Sequence, residues 1–405
     1  MNGYFYLTNP VMEYDWGSHE AIQALLGEAY PAKRPKAELW MGAHPKAPSL
    51  VALHSGQRPL DELVRKYPED ILGSAVADRY SNQLPFLFKV LAARQPLSIQ
   101  AHPGAERAKI GFERENQLGI PLTAPHRNYR DAHHKPECIC AMSEFWALCG
   151  FRPPGEIAAG LQAVCPGSFI DEVALLKHSP AREAVPSFLA KLLRLDPPRR
   201  RQVIVEALAA TASDAGDPEN APVAYWIHRL SDHFPEDICI LAPAFLNLIR
   251  LKPTQALFLP AGCLHAYLRG TGIEIMASSD NVLRGGLTSK HVDVDELLKT
   301  VSFDPWRPQL IRPVQLGEAE SHYPCPADEF TLSMLTIRPD AGYSSSAARN
   351  VEIFLCIQGA VTLTSLPDAG HKVELKKGTS VLVPASAPAY LIEGSGLMYR
   401  AGVRA

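Results

Sequence analysis

Two segments of this chain, 124 residues apart, follow one pattern and restrict the folds that it can adopt. Leu251–Tyr267 aligns with Leu375–Leu391 without a gap, and the alignment places Pro260 opposite Pro384. Each copy contains a turn, then a short apolar strand, then a proline and a small residue. A strand unit that is repeated in this way is typical of a chain that folds twice into the same kind of antiparallel barrel.

The rest of the sequence fits a mainly β protein with one helical insertion. The 35 prolines and 27 glycines divide most of the chain into short pieces, which favours short strands. Between Pro153 and Arg250, apolar residues such as Phe188 and Leu192 recur at helical spacing instead. We therefore predict two cupin-like or jelly-roll-like barrels and an α-helical lobe. The predicted units are a catalytic cupin lobe (1–152 and 251–315), a helical insertion (153–250) and a C-terminal cupin-like lobe without metal (316–405).

The charge and cysteine content exclude several classes of protein. Lysine and arginine total 40 against 43 acidic residues, which argues against a nucleic-acid or anionic-membrane binder. No apolar stretch is long enough to span a bilayer, and the first lysine, Lys33, comes too late for the basic region of a secretory signal. The eight cysteines are scattered and contain no CxxC pair. We expect a cytoplasmic protein that binds a small molecule. The oligomeric state is left open, with a monomer favoured.

Four polar residues that lie far apart in the sequence form a candidate metal site. Gln100 and His102 are two apart on a predicted strand and therefore share a face. Glu137 begins another strand after a proline, and a Pro-x-Gly-x-x-His turn places His265 at the mouth of the first barrel. Two imidazoles, one carboxylate and one amide oxygen suit a divalent ion such as Zn²⁺, and we expect one ion per chain. The second copy of the repeat has Ala389 in place of His265, so only the first barrel is predicted to bind metal.

Several cations are candidates for binding an anionic group beside this metal. Arg284 precedes Gly285–Gly286, where the backbone can approach a ligand closely. Its planar guanidinium matches a phosphate or an enediolate, whereas Lys135 and Lys290 offer point charges.

Five motifs resemble those of type I phosphomannose isomerases. They are YDWGS (14–18), AELWMGAHP (37–45), LSIQAHP (97–103), NYRDAHHKPE (128–137) and ASSDNVLRGGLT (277–288). The resemblance implies a zinc-dependent aldose–ketose isomerase that interconverts mannose 6-phosphate and fructose 6-phosphate. By motif, the family's zinc ligands fall on Gln100, His102, Glu137 and His265, and its catalytic arginine falls on Arg284. The sequence departs from the family pattern at His133, where an asparagine is usual, and at Gly285 and Ser289.

This resemblance also implies a mechanism through a cis-enediol, with candidate residues for each step. Ring opening of the sugar is expected near His134 or Asp280. The base that moves the proton between C2 and C1 is expected to be Lys135 or Glu274, and the sequence does not choose between them. The substrate-binding candidates are Ser98, Trp16, Tyr267 and Lys290.

Two other functions compete with the isomerase. A cupin oxygenase would hold Fe²⁺ on two histidines and a carboxylate, but Gln100 as a fourth ligand would fill a position that oxygen needs. A sugar-phosphate-binding cupin without activity would be indicated by the loss of a metal ligand or of Arg284, and neither is missing.

Overall fold

The computed structural model describes residues 3–404 and shows a mainly β chain with a group of helices in its middle part. The α-helices, in chain order, are α1 (Ala21–Leu26), α2 (Leu60–Lys66), α3 (Pro68–Leu72), α4 (Ser74–Arg79), α5 (Ala105–Gln117), α6 (Pro154–Val164), α7 (Ile170–His178), α8 (Ala181–Leu193), α9 (Pro197–Ala210), α10 (Pro222–His233), α11 (Ala242–Phe245) and α12 (Val294–Thr300). Short 3₁₀ helices lie at Ala212–Asp214 and Ile238–Leu241.

The strands are short, as the many prolines and glycines predict, apart from three long ones. The strands before the C-terminal region are β1 (Phe5–Thr8), β2 (Val11–Met12), β3 (Glu38–Met41), β4 (Leu50–Leu53), β5 (Gly56–Pro59), β6 (Phe86–Ala93), β7 (Ile99–Ala101), β8 (Glu137–Ala141), β9 (Phe145–Phe151), β10 (Leu246–Leu251), β11 (Ala256–Leu259), β12 (His265–Ala277) and β13 (Leu283–Gly286). The C-terminal strands are β14 (Val314–Gln315), β15 (Glu320–Tyr323), β16 (Thr331–Ile337), β17 (Tyr343–Ser344), β18 (Glu352–Ser365), β19 (Lys372–Lys376), β20 (Ser380–Val383) and β21 (Tyr390–Gly402).

Two antiparallel sheets organise the molecule, and each is built around a long strand. In the first sheet β12 pairs with β6, β7, β8 and β9. In the second sheet β21 pairs with β16, β17 and β18. The prediction of a mainly β fold with helices is confirmed, and the division into two cupin-like barrels stays a prediction.

The internal repeat corresponds to equivalent strands in the two sheets. Strands β11 and β20 begin and end 124 residues apart, which is the spacing that the sequence alignment gave. The strand that follows each of them, β12 or β21, is 13 residues long. Each repeat therefore encodes a short strand, a tight turn and the long central strand of one sheet.

The second sheet contains strands from the N-terminal part of the chain. Strand β1 pairs with β20 on one side and with β4 on the other, and β4 pairs with β5. The expected division of the chain placed residues 1–152 entirely in the catalytic lobe. By their hydrogen bonding, β1, β4 and β5 extend the C-terminal sheet. The expected division itself stays a prediction.

The helical insertion lies where the sequence predicts it. Helices α6 to α11 fall between residues 154 and 245. Asp196 caps α9, since its carboxylate accepts a hydrogen bond from the backbone N–H of Arg199 at 2.8 Å. The apolar faces of these helices, with Phe188 and Leu192 among them, pack in one core with Leu148 of β9 and with Leu264, which precedes β12.

Strand β6 belongs to the first sheet, packs against the second and is buried along its whole length. Phe86, Phe88 and Val90 lie in one core cluster with residues of the second sheet such as Ile353. Lys89 points to the other side, where a polar cavity opens. Between residues 3 and 404, no helix is both long enough and apolar enough to span a membrane.

Candidate metal centre and active cavity

Three ligand-type side chains from separate strands meet inside the first sheet. His102 follows β7, Glu137 begins β8 and His265 begins β12. All three are buried, and their nearest ligand atoms lie within 4.8 Å of one another. The two Glu137 oxygens lie 3.2 Å from His102 Nε2 and 3.3 Å from His265 Nε2. This spacing leaves room for one small cation between them.

The hydrogen bonds around these histidines direct one nitrogen of each ring toward Glu137. His102 Nδ1 lies 2.7 Å from the carbonyl oxygen of Asn281, and His265 Nδ1 lies 2.9 Å from that of Cys263. A carbonyl only accepts, so both Nδ1 atoms donate and both Nε2 atoms keep a free lone pair. His102 Nε2, His265 Nε2 and Glu137 Oε2 are buried atoms without a hydrogen-bond partner. Unpartnered buried acceptors are costly, and a divalent cation would satisfy all three.

The protonation states also suit metal binding. Burial and the positive charge of Lys135 lower the pKa of His102 to about 4, so this ring is a neutral ligand near pH 7. Burial opposes ionisation of Glu137, but the charge of Lys135, 3.0 Å away, and the contact with His102 hold the pKa of that carboxyl well below its usual range. Burial opposes protonation of His265, but the contact with Glu137 raises the pKa of this ring. The cluster therefore offers one neutral imidazole, one imidazole that would lose its proton to a bound cation, and one carboxylate, which are typical zinc ligands.

Strand register brings Gln100 and Arg284 to the same face as His265. Gln100 of β7 pairs with His265 of β12 on one side and with Arg284 of β13 on the other. Residues directly opposite each other in a sheet point to the same face. Gln100 and Arg284 also line the cavity beside the metal cluster. The role of Gln100 as the fourth ligand stays a prediction that this register supports.

A cavity of about 600 Å³, the active cavity, opens beside the cluster, and most of the predicted site residues line it. The predicted residues on its wall are Trp16, Ser98, Gln100, Lys135, Glu137, Tyr267, Glu274, Asp280, Arg284 and Lys290. Further side chains on its wall that the sequence analysis did not assign to the site include Glu38, His44, Lys46, Lys89 and Arg130.

His134 is the predicted site residue that the structure places elsewhere. It lines a separate cavity of about 430 Å³, where its Nε2 lies 2.6 Å from Glu329 of the C-terminal region. The neighbouring Lys135 lines the active cavity instead. Asn281 fixes this segment, since its side-chain amide donates to the carbonyl oxygens of Asp131 and His133, both at 2.8 Å.

Replacing His134 by glutamine is expected to change stability in a pH-dependent way. The hydrogen bond with Glu329 raises the pKa of His134. A histidine with a raised folded pKa stabilises the fold below its unfolded pKa of about 6.5, and this contribution is lost as pH rises through the folded value. Because the pair is partly exposed, we expect the melting temperature to fall by about 1–2 °C at pH 6 and not at pH 9. His133→Gln is the control; an equal fall at both pH values would contradict the account.

A buried lysine between two carboxylates forms the polar floor of the cavity. Lys89 Nζ lies 3.1 Å from Glu274 Oε2 and 3.6 Å from Glu38 Oε1. Burial alone would lower the pKa of Lys89, but the two carboxylates raise it, so the lysine stays charged. Burial raises the pKa of Glu274, although Lys89 opposes the shift. In the sequence, Lys89 is distinguished by being a lysine within an otherwise apolar predicted strand.

Three cations lie together at another part of the cavity. Burial, and then the charge of Arg130, lower the pKa of Arg284. The pKa of Lys290 is lowered by burial and by the charges of Arg284 and Arg130. Each of these groups therefore feels the repulsion of the others, and an anion bound among them would relieve it.

Asp280 is held as a carboxylate at the rim. Its Oδ2 lies 2.8 Å from Lys46 Nζ and 3.5 Å from His44 Nε2. Burial opposes ionisation, but the hydrogen bonds with His44 and Lys46 lower the pKa of Asp280 strongly. This residue can accept a proton or orient a hydroxyl group, but it does not carry a proton to donate near neutral pH.

Comparison with known proteins gives one consistent family. A model for the catalytic domain of type I phosphomannose isomerase matches residues 4–154, and a model for the cupin domain of mannose-6-phosphate isomerase matches residues 319–402. The mannose-6-phosphate isomerase of Escherichia coli is 37% identical over 97% of this chain and 98% of its own length. The human mannose-6-phosphate isomerase is 35% identical over 94% of this chain and 93% of its own.

Solved structures agree with these sequence relatives. The mannose 6-phosphate isomerase of Salmonella typhimurium, bound to fructose 6-phosphate and zinc, superposes with a TM-score of 0.90 at 37% identity. The comparison covers 99% of this chain and all of that one. A zinc-bound mannose 6-phosphate isomerase gives a TM-score of 0.89 at 37% identity with the same coverage.

Proposed function

The chain belongs to the type I phosphomannose isomerases, and from this premise we propose that it interconverts mannose 6-phosphate and fructose 6-phosphate. The observation that carries the proposal is that one cavity joins a buried His–Glu–His cluster to three cations that repel one another. A sugar phosphate has a matching arrangement, with neutral oxygens at one end and a dianion at the other. The eight cysteines are buried free thiols, which supports a reducing, cytosol-like compartment.

One zinc ion per chain fits the metal cluster. His102, Glu137 and His265 would hold it, with Gln100 as the fourth ligand. Zinc, when bound, acts as a Lewis acid on the carbonyl and hydroxyl oxygens of the open sugar. Two neutral imidazoles and one carboxylate leave a charge of about +1 at such a site, which favours an enediolate over a neutral sugar.

We infer different roles for Arg284, which lies in β13, and for Arg130 and Lys290, which lie in loops. Arg284 lies opposite Gln100 in the strand register, close to the metal ligands, so its guanidinium is placed to stabilise charge on the enediolate. We assign the phosphate to Lys290 and Arg130. A bound phosphate dianion would offset the mutual repulsion that lowers the pKa of Lys290.

Ring opening breaks the bond between C1 and the ring oxygen and moves the proton of the anomeric hydroxyl to that oxygen, so it needs a group that accepts this proton and passes it on. Asp280 lines the cavity as an ionised carboxylate, with Lys46 and His44 fixing its position. His134, the other candidate from the sequence, faces a different cavity and pairs with Glu329. We therefore assign the first proton transfer to Asp280.

We assign the transfer of the C2 proton to Glu274 rather than Lys135. Burial raises the pKa of Glu274 toward neutral pH, which makes its carboxylate a stronger base. The hydrogen bond from Lys89 holds this carboxylate in position. Lys135 is instead paired with the metal ligand Glu137 at 3.0 Å. In this scheme Glu274 removes the proton from C2 while the oxygen on C1 is protonated, which gives the cis-enediol. The hydroxyl on C2 then loses its proton as Glu274 returns a proton to C1.

Solvent hydrogen exchange distinguishes the two candidate bases. Glu274→Gln is expected to lower both isomerisation and incorporation of solvent hydrogen at C1 and C2 by about 10²–10⁴-fold, as for the loss of a general base. Lys135→Ala is expected to keep measurable exchange. Glu38→Gln is the matched control, because it removes the other carboxylate beside Lys89. Exchange that survives in Glu274→Gln and disappears in Lys135→Ala would reverse the assignment.

A coupled assay for fructose 6-phosphate tests the proposed function itself. The purified chain should form fructose 6-phosphate from mannose 6-phosphate, lose this activity with a chelator and regain it with zinc. A chain that binds the sugar phosphate without converting it would be a binding cupin. Oxygen uptake on addition of Fe²⁺ and substrate would indicate the oxygenase instead.

A further inference from the structure

The second sheet keeps one position of the metal cluster and has lost the others. Glu137 pairs with Leu259 at the end of β11, and Glu352 pairs with Val383 at the end of β20. Because β11 and β20 are the repeated strands, Glu352 occupies the position of Glu137. The position of His265 is taken by Ala389.

The remaining two ligand positions follow from the register of β17. Ser344 pairs with Leu391 of β21, and the backbone N–H of Ser345 donates to the carbonyl of Tyr390. Continuing this register places Ser346 where Gln100 lies in the first sheet, and Ala348 where His102 lies. Glu352 is therefore the one metal-type ligand kept among the four equivalent positions.

Guanidinium groups surround Glu352 instead of a metal. Arg400 Nη1 lies 3.2 Å from Glu352 Oε1, and Arg349 Nε lies 3.8 Å from Oε2. The hydroxyl of Tyr390 donates to the same Oε2 at 2.7 Å. Glu320 pairs with Arg400 as well, so two arginines face two carboxylates. The group is balanced in charge, unlike the three cations of the active cavity.

A cavity of about 240 Å³ lies beside this group, and Arg349 on its wall has one buried donor without a partner. The side chain of Arg349 is only 6% exposed. Its terminal nitrogens donate to backbone carbonyls, including those of Pro384 at 3.0 Å and Pro388 at 2.8 Å. Its Nε has no hydrogen-bond partner, since 3.8 Å to Glu352 is too long for one. Tyr343 and Ser346 add hydroxyl groups to the wall.

We propose that this cavity is a second binding site, for a neutral polyhydroxylated ligand such as a free sugar or polyol. Sugar hydroxyls can donate to the carboxylate of Glu352 and form hydrogen bonds with the hydroxyls of Tyr343 and Ser346 on the cavity wall. The balanced charges give no net attraction for a phosphate, which separates this site from the active cavity. A volume just below the usual range of about 300–1,000 Å³ suits a single sugar ring.

Ligand-observed NMR with free mannose as the probe tests the site on the zinc-loaded full chain. The spectra are recorded with saturating mannose 6-phosphate, which occupies the active cavity. Mannose should still show saturation transfer under these conditions. Ser346→Trp, an exposed change that fills the cavity, and Glu352→Gln should each weaken mannose binding by about tenfold or more. Ser346→Trp should leave isomerase turnover unchanged.

Ser395→Trp is the matched control, because Ser395 is an exposed serine of β21 that does not line the cavity. It should keep the mannose signal. Three results would overturn the proposal: loss of the signal when mannose 6-phosphate saturates the enzyme, an unchanged signal in Ser346→Trp, or displacement of mannose by inorganic phosphate. None of these results depends on the isomerase reaction, so the two proposals fail separately.

Discussion

Replacing Glu137 by glutamine will remove the bound zinc and lower the rate of fructose 6-phosphate formation by about a thousandfold or more. The two carboxylate oxygens lie 3.2 and 3.3 Å from the free nitrogens of His102 and His265, so Glu137 bridges the whole cluster. Glutamine has nearly the same shape but carries no charge, and one of its two terminal atoms is a donor. The site would then hold a 2+ ion with no negative ligand.

The second sheet supplies a matched control for this change. Glu352→Gln makes the same substitution at the equivalent position, where arginines and not a metal surround the carboxylate. Zinc per chain is measured after dialysis, beside the coupled assay for fructose 6-phosphate. Glu352→Gln should keep one zinc and the parent rate. The account of the metal centre is wrong if Glu137→Gln keeps both.

Replacing Arg284 by lysine is expected to lower kcat by about 10²–10³-fold, with a smaller change in KM. The substitution keeps the positive charge but loses the planar pair of donors that matches an enediolate. The position of Arg284 opposite Gln100 places this loss next to the metal ligands rather than at the phosphate end. The effect should therefore appear in the chemical step.

Steady-state kinetics on two variants check this assignment. Arg269→Lys is the control, because Arg269 lies on β12 but is partly exposed and pairs with Glu144. It should behave like the parent chain. A rise in KM with unchanged kcat in Arg284→Lys would show that this arginine binds the phosphate only.

The metal centre could be predicted from sequence because strand alternation and local turns determine it. Gln100 and His102 share a face whatever their partners are, and the turn before His265 is local. The repeat predicted the strands β11 and β20 for a similar reason, since both copies contain the same short pattern.

The parts that sequence reasoning missed depend on contacts between distant segments. Lys89 belongs to the active cavity because β6 pairs with β12, which sets it opposite Glu274. Arg130 was missed because its surroundings are defined by Arg284, more than 150 residues later. The direction of His134 depends on how Asn281 fixes its loop, and no local pattern shows this.

The pairing of N-terminal strands with the C-terminal sheet could also not be predicted from the sequence. Strand β1 is followed closely by strands of the first sheet, yet it pairs with β20 near the C-terminal end. Short strands of two to four residues carry too little pattern to show which sheet they join.

X-ray absorption at the zinc edge tests the central claim most directly, namely that imidazole, carboxylate and amide donors alone hold the ion. The cluster has two thiols nearby, since Cys263 lies two residues before His265 and its sulfur is 3.4 Å from that of Cys149. The account predicts a first shell of nitrogen and oxygen at about 2.0–2.2 Å, with the outer-shell pattern of two imidazoles. A sulfur shell at about 2.3 Å, or the signature of fewer than two imidazoles, would contradict it.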